Sequence, residues 1–228
     1  MVLLLIVFLG IVGLAYLPGA WVRSVIARYS AERPDIAGTG GEFARHLLDR
    51  MNLPGVEVER TKDGDHYDPA SKTVRLSRKH FGAHSLSAIV IAAHEVGHAM
   101  QDATDYRPLK SRTALAGSAG RIESFAGVVM LAAPVLILVT KSPIAFLMSY
   151  LAGAIIMSST IAMHVLTLPV EFDASFNRAL PLLEKGGYLA ESDKPAARRI
   201  LRAAAFTYVA SAAMSLVNVA RWFRVIRF

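Results

Sequence analysis

Apolar residues in this chain come in blocks, separated by stretches whose polarity has a clear period. Val2–Val22 is continuously apolar. As a helix of ~20 residues it is long enough to cross a hydrocarbon layer of about 30 Å. Phe125–Thr140 and Ile144–Pro169 are two further runs, divided by Lys141-Ser142-Pro143. Ala203–Ala220 is a fourth, interrupted by Ser211, Ser215 and Asn218, and predicts either a span or an amphipathic interfacial helix. Between the first two blocks the pattern changes. Thr39-Gly40-Gly41-Glu42 is a capping box that opens a helix through about Met51, with Phe43, Leu47 and Leu48 on one face. Pro54-Gly55 stops it. Val56-Glu57-Val58-Glu59 alternates like a strand, Asp63-Gly64 is a turn, and Thr73-Val74-Arg75-Leu76 is a second strand. The pair predicts a hairpin or a longer β excursion. Leu86–Gln101 reads as a helix with Ser85 as its cap. Asp102–Lys110 is a loop, Ser111–Ser124 is moderately helical, and Val170–Leu183 is a helix ended by Gly186-Gly187.

The expected fold is therefore mainly α, an integral membrane helical protein with a small β excursion before the Leu86–Gln101 helix. Residues 1–22 are expected as an N-terminal transmembrane anchor, 23–123 as a cytoplasmic half, and 124–168 as a transmembrane hairpin. Residues 169–228 are expected as a further helix and a C-terminal membrane-associated helix, completing one functional domain. No basic region precedes Val2, which favours an anchor over a removed signal.

Composition sharpens this picture at two points. The chain has no Cys, which excludes disulfides, thiolate metal sites and a Cys nucleophile. The net charge is +7, and fifteen of the Lys and Arg residues lie between Arg23 and Arg121. With the positive-inside rule this surplus places Arg23–Arg121 on the cytoplasmic side of a membrane, in a multi-pass arrangement. A nucleic-acid partner is not expected, because the charges are dispersed and lack interleaved aromatic residues.

The chemistry is carried by His94-Glu95-Val96-Gly97-His98. Two His at i and i+4 project from one helix face and reach one metal ion. Glu95 lies beside the first of them, where a general base is needed. H-E-x-x-H on a helix is the pattern of zinc proteases. Catalytic zinc sites take a third protein ligand, and the extended pattern with a third His is absent: Gln101 and Thr104 stand at those positions. Glu171 is the first candidate, in Pro169-Val170-Glu171-Phe172-Asp173-Ala174-Ser175. Glu123 is the rival, and Asp173 is expected to orient a ligand. Arg178, seven residues after Glu171, is a candidate donor to the tetrahedral oxyanion, with Tyr106 and His66 behind it. His46 reads as solvated, His80 and His84 as loop or cap residues, and His164 as an interhelical group.

Four segments together resemble the YugP-type neutral zinc metallopeptidases of bacterial membranes. They are Asp65-His66-Tyr67-Asp68-Pro69, Thr73–Ser77, Ala92–Ala99 and Leu168–Ser175. The resemblance covers roughly residues 1–220. A more distant likeness is to HtpX-type membrane proteases, whose third ligand is a Glu in E-x-x-x-D. Glu171 matches that Glu, and Ser175 stands where the Asp would be, with Asp173 or Asp102 as substitutes. The resemblance implies a zincin-like core with Zn2+ on His94, His98 and Glu171, Glu95 as a catalytic group and a place in the inner membrane of a bacterial cell; Arg178 as a second catalytic group rests on its spacing from Glu171 alone. The expected activity is a membrane-embedded endopeptidase acting at the cytoplasmic membrane surface. Its expected partners are an unfolded or membrane-associated protein or peptide and the lipid bilayer, with an oligomer compatible. Thr73–Leu76 is expected as the edge strand that pairs with substrate. The competing reading is a membrane adaptor or scaffold with a vestigial or structural zinc site.

Overall fold

A computed structural model describes residues 2–207 and 209. Helix α1 spans Val2–Arg28 and α2 spans Gly40–Arg50. α2 starts where its capping box says: the Thr39 hydroxyl accepts from the Glu42 N–H, and the Glu42 carboxylate accepts from the Thr39 N–H. Its apolar face, Phe43, Ala44, Leu47 and Leu48, is buried. Strands β1 (Glu57–Thr61), β2 (His66–Asp68) and β3 (Thr73–Ser77) form one sheet in the order β1-β3-β2. β1 runs parallel to β3, with Glu57 opposite Thr73; β2 runs antiparallel, with His66 opposite Arg75.

This order corrects the expected pairing. The hairpin is made by β2 and β3, and β3 is the central strand. The edge facing the site is β2, not Thr73–Leu76. The parallel partner is invisible to local turn signals, because parallel pairing is set by a crossover and not by a tight turn.

After the short α3 (Arg78–Phe81), α4 (Leu86–Ala103) runs through the middle of the domain. The Ser85 hydroxyl caps it by accepting from the Ala88 N–H. All of Leu86–Ala99 is buried. A core of Leu47, Leu48, Leu76, Val90, Leu183, Ile200 and Leu201 surrounds it. Full burial of such a side chain stabilises by roughly 1.5–3 kcal/mol. Val22 and Val25 of α1 join the same core.

Only Thr104–Tyr106 separate α4 from α5 (Arg107–Thr140), which pairs with α6 (Pro143–Phe172). α6 continues into a π-helical stretch, Asp173–Ala179, and then α7 (Leu180–Lys185). Pro169 lies inside α6 without ending it. A last helix, α8, covers 194–207.

Among the described residues, no helix is long and apolar enough to cross a membrane. This corrects the integral membrane part of the expected fold class, and with it the transmembrane labels on 1–22 and 124–168. The reason is physical. An apolar run reads the same whether it faces lipid or protein, and here the helices that carry these runs also pack on protein. Val22 and Val25 of α1 are core residues, Val170 and Glu171 of α6 are buried against the α4 region, and α5 opens with Arg107, Lys110 and Arg112. Most of Ala203–Ala220 lies outside the described residues.

Candidate metal centre and active site

One turn of α4 separates His94 from His98, and their rings stand edge to face at 4.8 Å between centroids. α6 delivers Glu171 to the same point from 77 residues further along the chain. Its Oε2 lies 3.2 Å from His94 Nε2 and 3.4 Å from His98 Nε2. One ligating atom from each of the three residues falls within 4.8 Å of the others. All three side chains are buried, Glu171 to 2 % exposure. The side chain of the rival, Glu123, lies outside the described residues.

The surrounding hydrogen bonds set which ring nitrogens face inward. Ser175 Oγ donates to the Leu201 carbonyl at 3.3 Å and therefore accepts from His94 Nδ1 at 3.0 Å. Gln101 Nε2 donates to the Val170 carbonyl at 2.8 Å and to Asp173 Oδ2 at 2.9 Å. Its Oε1 is thus the atom at 2.9 Å from His98 Nδ1, which donates to it. Each neutral imidazole, protonated on Nδ1, turns its Nε2 lone pair toward Glu171 Oε2. Three acceptors converging on one buried point repel unless a proton or a cation sits among them. The set suits zinc: two His nitrogens and a carboxylate oxygen, with Nδ1 of each His tied to a fixed partner. Burial pushes the Glu171 carboxyl up; with the two imidazoles protonated and no cation bound, His98 and His94 outweigh this and hold the group below the usual carboxylate range.

The π-helical stretch explains how so many contacts fit. Asp173 and Ser175, two residues apart, both reach α4. π turns recur at functional sites because they re-aim side chains. The close approach also needs Gly97, since a Cβ there would lie 2.7 Å from the Ala174 carbonyl oxygen. Ser175 itself holds His94, where the E-x-x-x-D pattern has a carboxylate. Asp173 reaches His98 through Gln101. Asp102 is occupied elsewhere, accepting from the Tyr67 hydroxyl at 2.8 Å.

His94, His98 and Glu171 border a cavity of about 470 Å³ that Glu95 also lines. Burial pushes the Glu95 carboxyl up to about 8; Asp65 and Glu171 add to this, and His94 works against it. Asp65 is pinned by the Ser77 N–H and by His80, both at 2.7 Å. His66 lines the cavity with Nδ1 donating to the Gly64 carbonyl at 2.9 Å. Arg178 is not among the lining residues. Its Nε donates to Asp173 at 2.8 Å, its Nη2 to Thr104, and its guanidinium lies over Tyr106. Arg112, from the first turns of α5, does line the cavity and donates to Glu171 Oε1 at 3.2 Å. Sequence reasoning missed Arg112, and no local pattern marks it. It also missed Gln101 as a His98 partner, although the i+3 spacing on one helix was a usable signal. His46 meets the Tyr188 hydroxyl at 2.8 Å, away from the cavity.

Comparison with known proteins adds an independent line. Residues 2–227 match the family model described as "Putative neutral zinc metallopeptidase". The chain is 35 % identical over 231 residues to "Putative membrane protease YugP" of Bacillus subtilis (strain 168), covering 96 % of this chain and 95 % of that protein. No solved structure gives a significant match. A family match over residues 2–227 and a buried cluster of His94, His98 and Glu171 agree, and the chain belongs to this family of neutral zinc metallopeptidases.

Proposed function

We propose that this peptidase is an endopeptidase that cuts extended, locally unfolded segments of protein substrates, with His94, His98 and Glu171 holding the zinc. The convergence of three ligating atoms within 4.8 Å, in a cavity shared with Glu95, carries this reading. When bound, zinc supplies a Lewis acid for the scissile carbonyl and the attacking water. Everything else is work for the chain. Glu95 accepts a proton from water on its carboxylate and returns it to the leaving amine. Arg112 is the permanent cation bordering the cavity and takes the place first considered for Arg178 as donor to developing negative charge. Arg178 then acts at one remove, steadying Asp173, which steadies Gln101 and through it His98.

β2 is the sheet edge that borders the cavity, through His66 and Tyr67. A substrate strand added there would satisfy its own backbone groups along β2. Residues 23–123 and 169–228 act as one catalytic unit, since side chains from both share the core. The site of action is the cytoplasmic surface of a membrane. Two observations support action at a membrane: the relative is named a membrane protease, and the α5–α6 hairpin exposes large apolar side chains such as Phe125, Val135, Leu138 and Ile144, suited to lipid contact. A scaffold with a purely structural zinc has no use for a buried carboxylate at position 95.

The test uses purified full-length protein in detergent. Wild type loaded with zinc should digest an unfolded model protein, and a chelator should stop it. Glu95→Gln should keep its zinc and lose about 10²–10⁴-fold in rate. Undiminished digestion by Glu95→Gln would remove the role given to Glu95.

A further inference from the structure

The cavity wall carries two chemistries. One is the metal cluster with Glu95 and Arg112. The other is apolar and built from distant parts of the chain: Val22 and Ile26 from α1, Ile91 from α4, Leu109 from α5 and Ala204 from α8. The first and last described helices thus meet beside the reacting groups. Among the described residues, three polar groups near this wall are already engaged. Asp65 is held by Ser77 and His80, the Tyr67 hydroxyl by Asp102, and the Thr207 hydroxyl donates to the Ala203 carbonyl. A charged substrate side chain seated against these five apolar residues would lose its water, and none of the five side chains offers a polar atom in return. An apolar one would gain in proportion to the area it buries. A cavity of about 470 Å³ has room for such a side chain beside a peptide backbone.

We propose that this wall is a specificity subsite that takes a bulky apolar side chain, such as Leu, Met or Phe, next to the scissile bond. Ala204 and Val22 set its depth. Ala204 is the smallest side chain on the wall, so enlarging it fills the subsite. Ile26 is the opposite case, since trimming it widens the subsite. The inference rests on the peptidase reading above and adds which peptides the site selects. It also gives α1 a part in substrate choice.

The experiment exposes the zinc-loaded full-length protein to an unstructured peptide library, with cleavage positions read by mass spectrometry. At one position flanking the cut, Leu, Met and Phe should outnumber Asp and Lys by at least about tenfold. Ala204→Met should shift that position toward Ala and Val by about tenfold. Ile26→Ala should shift it toward Phe and Trp. Bound zinc should stay at the wild-type level in both variants. A binding arm uses Glu95→Gln, whose affinity for a Leu-containing peptide should exceed that for its Asp counterpart by about tenfold. Cleavage without side-chain preference, an acidic preference drawn to Arg112 and His66, or unshifted preferences in both folded variants would overturn the subsite while leaving the peptidase intact. A zinc-loaded wild type that cuts nothing would overturn both.

Discussion

α4 and the α5–α6 hairpin are about equally rich in apolar residues, yet they use them in opposite ways. In α4 every residue from Leu86 to Ala99 is buried, and the ionisable ones among them, His94, Glu95 and His98, face the site. In the hairpin the apolar side chains stand outward: Leu138 is 76 % exposed and Phe125 is 74 % exposed. α6 shows both behaviours along its own length. Ile144 and Leu147 are exposed near its start, whereas Val170 and Glu171 are buried at its end. The difference teaches that an apolar run fixes how a segment can be satisfied but not by what. Where the run meets the core, it carries buried polar groups such as His94 and His98, each held by a hydrogen-bonded partner.

Four substitutions would break or sharpen this contrast. The largest effect is expected for Glu171→Gln, which removes the charged oxygen from the cluster; zinc affinity should fall by about a thousandfold or more in a chelator competition. Retention of wild-type affinity would detach Glu171 from the metal. Ser175→Ala removes the acceptor that fixes His94 Nδ1 and should cost about 10–100-fold in zinc affinity by the same assay. Gly97→Ala forces a methyl against the Ala174 carbonyl oxygen, so α4 and the π-helical stretch must separate. A loss of about 1–3 kcal/mol in denaturant stability is expected, together with weakened zinc binding, since Ser175 moves with Ala174. The smallest effect should come from Leu138→Asn in the hairpin. Stability in detergent should change by no more than about 0.5 kcal/mol, whereas flotation with phospholipid vesicles should decrease. A Leu138→Asn effect as large as that of Gly97→Ala would mean that the hairpin is packed as tightly as the core.

The local features were legible because they depend on short-range geometry. The Thr39–Glu42 capping box, the Ser85 cap and the apolar face of α2 all appear where the pattern of residues put them. Other features were misjudged for one shared reason. The strand pairing of β1 with β3, the continuity of α6 past Pro169, and the packing of Val22 and Val25 into the core all depend on partners far away in sequence. The apolar blocks illustrate this best: hydropathy gave their lengths and left their partners open, and no described helix meets the requirement for a span.

By itself, the order of residues determined that two imidazoles stand one turn apart on a capped helix with a carboxylate beside the first, because the 3.6-residue period of an α-helix fixes such neighbours wherever the helix lies. Only the tertiary structure decided which acid approaches them, that Ser175 and Gln101 set the orientation of their rings, and that Arg112 rather than Arg178 borders the cavity. Those choices depend on how α4, α5 and the π-helical stretch pack together. Packing joins residues many positions apart, and no periodicity along the chain records that distance.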